Sequence, residues 1–173
     1  MLIYRISQDS LIETSYEEFM RDGKNKHWII MTPEELEEKN ETFRFSYQTL
    51  YDCMHNEDAP KLDVYENYSF GILNIISPEE SFFSVVELNF YITKNYLIFV
   101  SEKYLDMFGE IQNDIYSRGS LKLSAEKILH NLIDKMTVKD YNMLSNLESE
   151  ISGVEEDLLE GKTKNYTKDI VLL

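Results

Sequence analysis

The side chains able to do chemistry in this sequence are mostly carboxylates. Asp and Glu number 32 against 17 Lys and Arg, a net charge of −15. A surface of that sign repels phosphates, which argues against a nucleic-acid partner, and it gathers cations, divalent metals among them. Other reactive groups are sparse. Cys53 is the single cysteine, so neither an internal disulfide nor a cysteine zinc cluster is possible, as in a protein of a reducing cytoplasm. His27, His55 and His130 stand at no spacing that marks a shared metal. The sequence has no G-x-S-x-G elbow, phosphate loop or H-E-x-x-H, and no pair of carboxylates is singled out for acid–base work, so the expectation is not an enzyme. Two acidic features have an ordered setting: Asp52, alone on the helix-like stretch "YQTLYDCMHNE", and "LESEISGVEEDLLEG" (147–161), with six acids and no base. A lone aspartate near a helix end ordinarily caps the helix or faces water. An acidic run ordinarily solvates a helix face.

The elements that must position these groups can be read from periodicity. "LIYRIS" is a short strand, "SYEEFMRD" a helix, and "KHWIIM" an apolar strand after a turn at Gly23. In "TPEELEEKNE", Thr32 caps a helix, Pro33 takes its first position and Glu35 completes a capping box. "FSYQTLYDCMHN" places Phe45, Thr49 and Asp52 along one helical side, with Leu50 and Met54 on another. Pro60 then opens "KLDVYE" at a point where its missing N–H costs no ladder bond. That strand pairs with "YSFGILNII" across Glu66 and Asn67. A second hairpin joins "FFSVVELNFYI" to "YLIFVSE" through "TKN", with "SPEES" as the loop between hairpins. Val86, Leu88, Phe90 and Ile92 alternate with Glu87, Asn89 and Tyr91, the period of a half-buried strand.

After Lys103 the period becomes helical. "YLDMFGEIQNDIYSR" is a helix stopped by Gly119. Ser124 caps a second segment, in which Ile128, Leu132, Met136, Met143, Leu147, Ile151, Val154 and Leu158 recur on one side. This predicts a helix of about 35 residues, with Gly153 as a weak point and Gly161 as its end. The fold class is therefore α/β: an αβα sandwich with a central mixed or antiparallel sheet over residues 1–119, followed by a long helical arm with an acidic tip over 120–161. The arm's stripe calls for another helix, from a continuation of the chain or from a neighbouring subunit. "MLIYRISQDS" lacks the pattern of a secretory signal. The longest apolar runs, such as "YLIFV", fall far short of the roughly 20 residues needed to span a bilayer. The chain is expected to be soluble, and the return of apolar character in "DIVLL" creates the expectation of a continuation past Leu173.

The series Asp52, then Pro60-Lys61, then "LDVYENYSFGIL", "ELNFYITKNYLIFVSEK", and "ILHNLIDKM" leading to "LESEISGVEEDLLEG" resembles the cytoplasmic N-terminal domain of the CorA family of magnesium transporters. Trp28 in "HWIIM" matches the family's early tryptophan-isoleucine strand. The likeness is good over residues 46–160 and weak before them. Ala59 stands where the family usually has arginine, and Tyr51 where an acid usually precedes the first aspartate. The family's Gly-Met-Asn signature and its two membrane helices do not occur in this sequence.

The resemblance implies a soluble regulatory domain on the cytoplasmic side of the cell membrane, reaching the bilayer only through further C-terminal helices, with residues 162–173 starting a stalk helix. It implies a homopentamer that binds Mg²⁺, or Co²⁺ or another divalent cation, between neighbouring subunits and gates transport in response. Asp52 matches a ligand position of such a site and Asp134, in "NLIDKM", a second one. The main partner carboxylate of Asp52 would lie on the stalk, and the substitution at Tyr51 implies a second site that is weaker or absent. A stand-alone interaction module with the same fold and no transport role is the alternative. Two apolar spans in the gene's continuation would favour the transporter.

Overall fold

The computed structural model describes residues 1–55, 59–78, 83–118 and 122–159. In chain order the elements are β1 (Leu2–Ile6), β2 (Leu11–Glu13), α1 (Tyr16–Arg21), β3 (Lys26–Met31), α2 (Pro33–Phe43), α3 (Tyr47–His55), β4 (Lys61–Val64), β5 (Tyr68–Pro78), β6 (Phe83–Thr93), β7 (Tyr96–Val100), α4 (Asp106–Arg118) and α5 (Ala125–Leu159). Among the described residues, seven strands form one sheet in the order β2-β1-β3-β7-β6-β5-β4. Neighbours are antiparallel except β3 and β7, which run parallel, with Ile29 opposite Ile98. The sheet is thus mixed.

Alternation along the strands sorts side chains into two cores. Leu88 and Phe90 of β6 pack with Trp28, Phe99, Phe108 and Leu132 on one face. Tyr91, between them and the turn, packs with Ile29, Leu36, Phe70 and Cys53 on the other. Helices α4 and α5 therefore cover the first face, and α1, α2 and α3 the second, giving the expected αβα sandwich. The central strands β3 and β7 are buried on both faces, which is why "WIIM" and "LIFV" read as unbroken apolar runs. Gly71 pairs with Phe90 across β5 and β6. A Cβ on Gly71 would lie 2.3 Å from Phe90 Cε1 and Cζ, so the ring occupies the space that a side chain there would need.

The helix starts follow their capping residues. Thr32 accepts from the Glu35 amide, and the Glu35 carboxylate accepts from the Thr32 amide, closing the predicted box. Ser124 accepts from the Lys127 amide at the start of α5, a helix of 35 residues. Only the first part of α5 is sandwiched: Ala125, Ile128 and Leu132 are buried in the core. Lys135 meets Glu110 and Asp114 of α4 at 3.5 and 3.0 Å, and Lys139 meets Glu110 at 3.3 Å, fixing the two helices together. Past Met143 the helix leaves the sandwich, and Ile151 and Leu158 are 43% and 53% exposed. No described helix is long and apolar enough to cross a membrane.

Some boundaries differ from expectation. Strand β2 has a single buried residue in three, Leu11, so it offers no alternation to detect. Ser77 and Pro78 end β5 instead of opening a loop, because β6 continues the pairing to Phe83. Helix α4 begins two residues later than expected, with Leu105 buried ahead of it. Phe45 precedes α3 but still joins the second core. The stops assigned to Gly119 and Gly161, most of the "SPEES" loop and the segment 162–173 lie outside the described residues.

Candidate functional site

Asp52 sits in the middle of α3, whose first turn is capped by Ser46. The Ser46 hydroxyl accepts from the Thr49 amide at 3.3 Å, its carbonyl accepts from the Leu50 amide at 3.2 Å, and its own amide donates to the Tyr68 hydroxyl at 3.1 Å. That last bond ties the helix to β5. Helix α3 buries Thr49, Asp52 and Cys53 against the sheet, so the side carrying the predicted ligand faces inward.

An aspartate that is only 3% exposed must be matched, because an uncompensated carboxylate away from water costs several kcal/mol. Here both oxygens are engaged. Gln48, one helical turn earlier, donates from Nε2 to Asp52 Oδ1 at 2.8 Å. Lys61 donates from Nζ to Asp52 Oδ2 at 2.8 Å, a charge-assisted bond. Lys61 is the first residue of β4, an edge strand, and pairs in register with Ile72. Its side chain is 32% exposed, and its ammonium also stands 4.0 Å from Asp63 Oδ2 and 6.0 Å from the Phe70 ring centre. The proline-lysine pair thus has a definite task. Pro60 opens the strand, and Lys61 carries a positive charge back under α3 to Asp52.

The neighbouring groups are inert or structural. The Cys53 thiol contacts the Tyr91 hydroxyl at 3.4 Å, and burial pushes its pKa up to about 12, which removes it as a nucleophile near neutrality. Tyr91 is also pushed up, first by burial. Asn89, two residues before Tyr91 on the same face of β6, is buried. It donates from Nδ2 to Glu87 Oε1 at 2.8 Å, and its Oδ1 has no hydrogen-bond partner among the described residues. His55 stacks on Tyr51 with ring centres 3.8 Å apart. His27, on β3, is buried beside Phe19 with Nε2 3.6 Å from Asp22 Oδ2. Its pKa is lowered, first by burial and further by Arg5, against the pull of Asp22.

Asp134 lies in the other helical layer. It is exposed on α5 and makes no hydrogen bond or ion pair to another described residue. The sheet separates it from Asp52, so one chain does not bring the two predicted ligands together. Among the described residues no three His, Cys, Asp or Glu side chains converge as a metal cage. Tested against a hydrated divalent ion, the two candidates differ. Asp134 offers an open carboxylate, whereas Asp52 as folded suits an ammonium, since its charge is already balanced by Lys61. What the sequence reading missed is the role of Lys61 as the partner of Asp52. The signal was available, because a basic residue immediately follows the proline that opens the strand after Asp52.

Comparison with known proteins bears on the whole chain. Residues 26–173 match the family described as CorA-like Mg²⁺ transporter protein. The chain is 27% identical over 152 residues to the cobalt/magnesium transport protein CorA of Thermotoga maritima, an alignment covering 83% of this chain and 43% of that protein. It therefore spans less than half the length of this curated relative. The fold is shared with the complete structure of the CorA magnesium transporter from Methanocaldococcus jannaschii (TM-score 0.77, 18% identity, 99% of this chain and 55% of that one). It is shared too with the soluble domain of CorA from the same organism (TM-score 0.70, 19% identity, 98% of this chain and 69% of that one). The present chain belongs to the CorA-like Mg²⁺ transporter family.

Proposed function

We propose that this chain is the cytoplasmic regulatory part of a CorA-like transporter of Mg²⁺, Co²⁺ or a similar divalent ion, and that it senses that ion at contacts between copies arranged as a homopentamer. The observation that carries the proposal is the course of α5. Its first turns are locked into the sandwich, while its far half projects with Ile151 and Leu158 exposed and with five described acids and no base between Glu148 and Leu159. Such an arm has apolar surface for a neighbour to cover and negative charge that opposes the same arm on a like subunit.

Asp134, exposed on α5, and Asp52, on α3, are the proposed ligands. Carboxylates from adjacent copies repel one another, and each copy's charge disfavours ionisation of its neighbour's. A divalent ion, when bound between them, reverses the sign of that interaction. Mg²⁺ retains most of its water shell, so one or two carboxylates from each side suffice. The packed arrangement is then favoured at high ion concentration and the loosened one at low, which is coupling through differential affinity for two states.

Isothermal titration of MgCl₂ into the assembled protein and into its Asp52→Asn and Asp134→Asn variants tests this, alongside ion uptake measured at set internal Mg²⁺. Each variant is expected to bind Mg²⁺ more weakly and to resist inhibition of uptake by internal Mg²⁺. Unchanged affinity in both variants would remove the two aspartates from the site and the sensing role with them.

A further inference from the structure

We infer that Lys61 is a tethered competitor for the ion at Asp52: its ammonium holds the site when the divalent cation is scarce and must leave for the cation to bind. This rests on the reading of Asp52 as an ion ligand and adds to it the residue that regulates occupancy. Three observations support it. First, Lys61 Nζ is already at Asp52 Oδ2, at 2.8 Å, so the positive charge a cation would bring is present in the chain itself. Second, the two partners are unequally buried. Asp52 is closed in at 3% exposure, but Lys61 is 32% exposed at the edge of the sheet, so its head can reach water without the strand moving. Third, Asp63, two residues along the same strand, is 46% exposed and presents Oδ2 4.0 Å from the same ammonium. On a strand, residues i and i+2 share a face, so Asp63 is an alternative anchor for the displaced head.

The consequence is an exchange of partners. With the ammonium on Asp52 the carboxylate is neutralised and α3 stays seated. Displacing it adds a divalent charge at Asp52 and moves a single charge outward toward Asp63. The ion's net gain is therefore its own binding less the Asp52–Lys61 interaction. This lowers the apparent affinity and places half-saturation at a higher ion concentration than the ligands alone would set. Gln48 retains Oδ1 in both arrangements and keeps the carboxylate aligned.

The test uses the full-length, assembled protein with MgCl₂ as the probe and NaCl or choline chloride at matched ionic strength as controls. In wild type, MgCl₂ is expected to raise the rate at which an amine-reactive acylating reagent modifies Lys61 severalfold above the matched-salt control, read by peptide mass spectrometry. In Asp52→Asn, Lys61 is expected to react fast at every Mg²⁺ concentration. Lys61→Gln is expected to lower the half-saturating MgCl₂ for thermal stabilisation about tenfold, the effect of removing an interaction of ordinary charge-assisted strength. Lys61→Arg, which keeps the charge and grips a carboxylate with two donors, is expected to raise it. Should Lys61→Gln fail to fold, the acylation rates and the Arg variant still decide. If Lys61 reactivity ignores MgCl₂ while Asp52→Asn still weakens Mg²⁺ binding, Asp52 remains a ligand and the competing lysine is refuted. If Asp52→Asn leaves the Mg²⁺ response unchanged, the ligand assignment itself fails and the exchange fails with it.

Discussion

Asp52 lies closed in on α3 with an amide on one oxygen and an ammonium on the other. Asp134 stands exposed on α5 with no bond to another described residue. The two are the same side chain, on helices that cover opposite faces of one sheet. At Asp52, the proposed ion would draw on the same oxygens that Gln48 and Lys61 hold in the fold, so any change to its charge balance is felt as stability first. At Asp134 no described residue draws on the carboxylate, so a change there is felt chiefly by whatever meets it from outside. A residue type and a family position are thus not enough to say how an acid responds to a metal. Burial and the partner at hand decide it.

Removing the partner of the buried member tests this most severely. Lys61→Met leaves the Asp52 carboxylate buried with Gln48 as its one remaining hydrogen-bond partner among the described residues. Breaking one side of a buried ion pair in this way costs about 3–5 kcal/mol, and urea unfolding at pH 7 without divalent ions should register that loss as a lower midpoint. A loss under about 1 kcal/mol would mean that Asp52 reaches water in solution, and the contrast with Asp134 would collapse. Lys61→Gln, which can still donate one hydrogen bond, should fall between wild type and Met.

How much of this was legible in the residues can be judged element by element. The capping box of Thr32 and Glu35, the alternation of β6 and the length of α5 all followed from local chemistry, because each signal lies within a few residues of its effect. Strand β2 did not, having one buried residue to show. The Asp52–Lys61 pair was half visible. Both residues were singled out, Asp52 for its helix face and Lys61 for its place after Pro60, but their meeting depends on the angle at which α3 sits on the sheet edge. That angle is set by Ser46 bonding to Tyr68 and by Thr49 and Cys53 packing inward. Periodicity reports which side of an element is apolar. It does not report which charge across a turn comes to rest against an acid on that side.

His27 offers an independent check on what burial does to a charge. It is as closed in as Asp52, but its acid, Asp22, stands 3.6 Å away, and burial prevails in lowering its pKa. A base with a lowered folded pKa binds fewer protons in the native chain than in the unfolded one. Stability is therefore retained above the unfolded value of about 6.5 and lost as the pH falls below it, toward the folded value. This one site contributes at most about 1.4 kcal/mol per pH unit. His27→Phe, which keeps a ring against Phe19, should flatten the fall in urea midpoint between pH 7 and pH 5 relative to wild type. An unchanged slope would assign that fall to the carboxylates alone.

The smallest effect is expected at Asp134, and its smallness is informative. Asp134→Asn keeps the shape of an exposed side chain and breaks no described bond, so the stability of the isolated chain should move by no more than about 0.5 kcal/mol. Urea unfolding of the wild type and the variant, each without divalent ions, measures this directly. If Asp134 acts only across a contact between copies, the same substitution must still alter the Mg²⁺ response of the assembled protein, because there its charge faces another negative surface and not water. A variant neutral in the first measurement and altered in the second has a function that depends on assembly. One that is neutral in both is a solvated helix residue, and Asp52 would then stand as the sole candidate ligand on this chain.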